Sequence, residues 1–66
     1  MRIQLNGEPR DIPEGRTLLQ LLDELELAAG RVAVEHNREV IRRANLGEIA
    51  LESGDVVELI HFVGGG

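Results

Sequence analysis

The sequence predicts an α+β domain in which one helix covers one face of a mixed sheet of four to five strands. Three observations carry this. Period-two apolar patterns open and close the chain, a single strong 3.6-residue pattern lies between them, and turn signals separate the remaining short segments. With 66 residues the chain is read as one domain spanning 1–66. A domain of this size buries only about 60% of the surface its unfolded chain exposes, so nearly every apolar residue has to serve the core.

Met1, Ile3 and Leu5 alternate with Arg2, Gln4 and Asn6, a half-buried strand. Asn6-Gly7 follows, and both residues tolerate the positive φ of a tight hairpin. The returning strand, Pro9 to Ile12, belongs on an edge because Pro9 has no amide to donate. Pro13-Glu14-Gly15 then breaks the sheet. Thr17 and Gln20 form a capping box, and Leu18, Leu21, Leu22 and Leu25 fall on one helical face while Asp23, Glu24 and Glu26 face water. Ala28-Ala29 reads as a fraying last turn, with Gly30 ending the connection.

Val32 and Val34 alternate with Ala33 and Glu35 in a third strand. His36-Asn37-Arg38-Glu39 is a polar turn, and Val40-Ile41 begins a short fourth strand that ends at Arg42-Arg43. Residues 44–50 fit a short helical turn. Leu51 to Asp55 is a turn with Gly54 supplying positive φ. Val56 to Val63 is the last strand, long and apolar enough, like the first, to be central. The order β-β-α-β-β-β is the β-grasp arrangement, the fold of ubiquitin, with one sheet face left open for partners.

The last strand sorts by parity. Val57, Leu59, His61 and Val63 share one side; Val56, Glu58, Ile60 and Phe62 share the other. A charged Glu58 belongs in water, so its set lies on the open face. Phe62 is the sole aromatic residue. Its exposure beside the C-terminus marks a contact patch of Glu58, Ile60 and Phe62. The alternative folds Phe62 over the sheet edge into the core. His61 reads as structural.

The sequence closes on Gly64-Gly65-Gly66. Three glycines neither pack nor favour a strand; one reading is a frayed terminus or a linker. The other is a tail that threads a narrow channel. An α-carboxylate, with a pKa of about 3.5, is ionised at neutral pH and a poor electrophile until joined to AMP. Val63 to Gly66, extended, would carry it about 13 Å from the folded body.

Composition excludes several classes. The absence of cysteine removes disulfides and Cys-based zinc sites and suits a cytoplasmic chain. His36 and His61 are too few for a His-based metal site without carboxylate help. No stretch approaches the roughly 20 apolar residues of a membrane helix. The net charge of −5 disfavours nucleic acid; it suits a basic protein partner, while the simpler reading is that it keeps a small domain soluble. There is no nucleophile–base pair and no phosphate loop, so the chain is not read as an enzyme.

Along its whole length the sequence resembles the ThiS family of sulfur carrier proteins of thiamin biosynthesis. The resemblance rests on the opening strand with Asn6-Gly7, Thr17-Leu18 with Leu21-Leu22, Val32-Ala33-Val34-Glu35 with Asn37, Arg43, Leu51-x-x-Gly54-Asp55 and the terminal Gly65-Gly66. It implies that Gly66 is adenylated by a ThiF-type enzyme at the expense of ATP and that sulfur from a donor protein then replaces AMP. The resulting thiocarboxylate serves thiazole synthase. The carrier itself holds no cofactor. The small subunit of molybdopterin synthase is a related alternative, but it carries prolines before its glycines where this chain has Leu59 to Val63. A modifier conjugated to lysines through Gly66 is the other alternative. Gly64 is a departure, a third glycine that lengthens the tail.

Overall fold

The computed structural model describes residues 1–62. Five strands, β1 (Arg2–Leu5), β2 (Glu8–Asp11), β3 (Val32–His36), β4 (Glu39–Ile41) and β5 (Val56–His61), form one sheet in the order β2-β1-β5-β3-β4. β1 and β5 run parallel; the other neighbours are antiparallel. The first and last strands are therefore interior, as their apolar content predicts, and Pro9 lies on the edge strand β2. The short helix α1 (Leu18–Glu24) covers one face.

Both hairpins close with two-residue turns at positive φ. Asn6 (φ 51°) and Gly7 (φ 83°) join β1 to β2, and Asn37 (φ 51°) and Arg38 (φ 71°) join β3 to β4. Such turns match the right-handed twist of the flanking strands. Asn and Gly accept this conformation readily; Arg38 has a Cβ that crowds the following carbonyl. Arg38→Gly is therefore expected to stabilise the domain by roughly 0.5–1 kcal/mol, because relief of the left-handed strain exceeds the added chain entropy of glycine. Urea unfolding measures it, and a loss of stability would remove strain at Arg38 from the account.

The capping box at the head of α1 is complete. The Gln20 amide donates to Thr17 Oγ1 (3.2 Å), and the Thr17 amide donates to Gln20 Oε1 (2.9 Å). The far end differs from expectation. The helix stops at Leu25, before Ala28-Ala29 and Gly30, and Glu26 takes the left-handed position (φ 60°). The Glu26 amide donates to the Asp23 carbonyl (3.0 Å) and that of Leu27 to the Leu22 carbonyl (2.9 Å). This satisfies two terminal carbonyls, and Leu27 packs on the core as the apolar lid of the motif. A glutamate fills the left-handed position that glycine usually takes, so the helix ends before the Gly30 that the sequence predicts as its boundary. Gly30 instead sits inside a 3₁₀ turn, Ala29–Arg31.

Residues 44–50 form the expected helical turn, a 3₁₀ segment Arg43–Glu48 whose Leu46 is buried. The core comprises Ile3, Ile12, Leu18, Leu21, Leu22, Val32, Val34, Leu46, Leu51 and Val57. Leu25 and Leu59 pack against it only partly buried. The second strand is shifted by one residue from its expected range. Ile12 leaves the strand for the core, while its amide still donates to the Met1 carbonyl (2.8 Å).

Candidate functional site

β5 is the strand that leads to the C-terminal glycines, and the fold fixes it from both sides. Its amides and carbonyls pair with β1 on one flank and β3 on the other. The asparagine of each hairpin turn adds a clamp. Asn6 Oδ1 accepts from the Leu59 amide (2.8 Å), and Asn37 Oδ1 accepts from the Val56 amide (2.9 Å). Beyond the last ladder pair, His61 with Val32, the Phe62 amide donates to the Arg31 carbonyl (3.1 Å). The backbone is thus held to the sheet as far as Phe62. Gly64, Gly65 and Gly66, together with Val63, lie outside the described residues.

A polar cluster secures the start of β5. Asp55 Oδ2 lies 2.8 Å from His36 Nε2 and accepts from the Glu52 amide (2.9 Å); Asp55 Oδ1 accepts from Asn37 Nδ2 (3.3 Å). Burial alone would raise the Asp55 carboxyl. The hydrogen bonds from His36, the Glu52 amide and Asn37 outweigh it and hold the group below the usual carboxylate range. A folded-state pKa below the unfolded one gives stability that is complete above the unfolded value, near 3.8, and is lost as pH falls through the folded value. Asp55→Asn is therefore expected to flatten the decline in melting temperature below about pH 4. Identical acid limbs in variant and wild type would exclude Asp55 as its source.

The parity of β5 sets what each residue shows. Val57 is fully buried and Leu59 partly buried on the helix side; Glu58, Ile60 (51% exposed) and Phe62 (63% exposed) face away from it. His61 shares the parity of Leu59 yet is exposed, because it lies at the sheet end. Two contributors to this face were missed from the sequence. Val40, paired with Glu35 on the same side, is 70% exposed. The alternation of Val40 with Ile41, whose partner Val34 is buried, carried the signal. The second was Arg43, which lines a shallow groove of about 320 Å³ with Ala33, Val40, Gly30 and Phe62. Arg43 lies so close over Gly30 that a Cβ there would stand 2.8 Å from its guanidinium.

Among the described residues, no group of three or more His, Asp or Glu side chains could hold a metal. No helix among the described residues is long and apolar enough to cross a membrane. What the fold presents is a clamped central strand that hands its chain on to a glycine-rich end, beside an exposed apolar face. The ThiS family profile matches residues 3–66. The chain belongs to the ThiS family.

Relatives agree over the full length. The sulfur carrier protein ThiS of Bacillus subtilis is 39% identical, over 97% of this chain and 98% of that protein. A thiazole synthase of Magnetococcus marinus is 46% identical over all of this chain, which spans only 20% of that protein's length. A thiazole synthase of Paramagnetospirillum magneticum is matched in the same way, at 36% identity. The crystal structure of the thiamine biosynthesis protein ThiS from Geobacter metallireducens superposes over 100% of both chains with a TM-score of 0.86 at 36% identity. The β-grasp fold expected from the order of elements is therefore that of the family.

Proposed function

We propose that this chain is a cytoplasmic sulfur carrier of thiamin biosynthesis, with the Gly66 carboxylate as the group that carries the sulfur. Full-length membership of the ThiS family, with two glycines at the end of the matched region, is the observation that supports it most strongly. The carboxylate attacks the α-phosphate of ATP on a ThiF-type adenylating enzyme; an acyl–phosphate bond forms and pyrophosphate leaves. The outer sulfur of a persulfide on a donor protein then attacks the acyl carbon and AMP leaves; a thiol cleaves the S–S bond of the resulting acyl disulfide, which releases the thiocarboxylate and leaves a disulfide on the donor side. The thiocarboxylate holds sulfur in a bound, nucleophilic form. The ATP belongs to the enzyme, and the carrier supplies no catalytic group and binds no cofactor.

Thiazole synthase is the acceptor in this reading. Two thiazole synthases contain a segment similar to this whole chain, and one polypeptide joining the two parts favours their meeting in function. The open face with Glu58, Ile60 and Phe62 is the docking surface, and the end of β5 delivers the tail.

Incubation with the adenylating enzyme, ATP and a sulfur donor tests the proposal. The intact mass is expected to change by one oxygen exchanged for one sulfur, localised to Gly66 by fragmentation. An unchanged mass with an enzyme that is active on another carrier overturns it. Abundant lysine-linked adducts of the chain in cells, in place of the thiocarboxylate, would show a protein modifier instead.

A further inference from the structure

The open face contains a pairing that a free sheet gains nothing from. Glu35 of β3 stands directly opposite Glu58 of β5. Directly opposed side chains have Cβ atoms about 5 Å apart, and like charges in that position are destabilising. Among the described residues the carboxylates held in ion pairs are Asp11, Glu24 and Asp55, so neither Glu35 nor Glu58 has a cation. Arg2, the cation on the same face of β1, is taken by Asp11 at 3.0 Å. Arg43, which lines the groove beside Val40 and Phe62, is in none of the ion pairs of the described residues; otherwise the surroundings are apolar and exposed. Val40 flanks Glu35 across β4, Ile60 and Phe62 follow Glu58 along β5, and Ala33 stands opposite Ile60.

The charge complement of this face is one cation set among apolar groups. We infer that it docks a protein partner that places a single arginine or lysine between the Glu35 and Glu58 carboxylates, with apolar side chains around that cation covering Val40, Ile60 and Phe62. The inference rests on the carrier reading and specifies the surface that the adenylating enzyme presents to this chain. Arginine suits the position better than lysine, because its planar fork can donate to two carboxylates at once. In the free domain the two carboxylates repel. In the complex the same two charges are neutralised together, so the face gains on docking what it gives up in the isolated fold.

Three variants of the full chain test this: Glu35→Gln, Glu58→Gln and the double substitution. Urea unfolding and affinity for the ThiF-type adenylating enzyme of the same organism are measured at several salt concentrations. Each single variant is expected to raise the folding constant about two- to fivefold. The double variant adds little more, because the repulsion is already gone after the first substitution. Affinity is expected to fall about five- to twentyfold at low salt, with a flatter dependence on salt. Unchanged affinity and an unchanged salt slope in all three variants, with firm wild-type binding, overturns the inference. Self-association of the variants with enzyme affinity intact also overturns it, and marks the pair as a solubility device. Failure of the wild-type chain to bind the enzyme overturns the carrier reading and this inference with it.

Discussion

Val57→Asp is expected to leave no folded protein at 25 °C, whereas Phe62→Asp melts within a few degrees of the wild type. Val57 is fully buried in the central strand, between Leu5 on β1 and His36 on β3. An aspartate there would place an unpaired carboxylate in the apolar layer beneath α1, at a cost of several kcal/mol or more. A domain of this length has only roughly 3–10 kcal/mol of stability in total. Phe62 is 63% exposed and contributes its backbone amide, not its ring, to the sheet. Its replacement leaves neither a buried charge nor a cavity. The same change removes the largest apolar side chain of the open face, and a central aromatic contact can be worth 2 kcal/mol or more in binding. Thermal melting and enzyme affinity of both variants provide the comparison. Comparable unfolding by the two substitutions would mean that Phe62 belongs to the core.

Deletion of Gly66, or extension by one residue after it, is expected to abolish sulfur incorporation while the melting temperature stays unchanged. One residue of extended chain displaces the acyl carbon by about 3.3–3.6 Å. Misplacement by about 1 Å from an attack geometry can already cost 100-fold in rate. The fold does not sense the change, because the core residues and the ladder of β5 all lie before Val63. ATP–pyrophosphate exchange isolates the adenylation step, and intact mass follows the sulfur. Retained incorporation in the deletion variant would place the reacting group elsewhere in the chain.

Much of this fold was legible because short-range rules and tertiary packing agree. Asn6-Gly7, the Thr17–Gln20 box and the Leu18, Leu21, Leu22 stripe each act within a few residues, and the structure uses all of them. The parity of β5 was legible because Glu58 has no place in an apolar layer. The end of α1 was not legible, since Glu26 occupies the left-handed position and is held there by hydrogen bonds and by Leu27 at the core. Register was not legible either. Nothing local to Glu35 or Glu58 announces that they will face each other; 22 intervening residues and two turns decide it. The same holds for Asn6, whose side chain finds an amide 53 residues away.

The strand at the middle of the sheet is also the last to be synthesised. Without β5, the chain contains two separate hairpins and a helix of seven residues, too short to persist alone. Until residues 56–61 are made, neither hairpin has the strand that joins it to the other. Termination between β4 and β5 leaves two hairpins whose inner edges, on β1 and β3, lack the strand that joins them. Bare edges of this kind are templates for pairing with other chains, which the intact sheet avoids by closing them on β5.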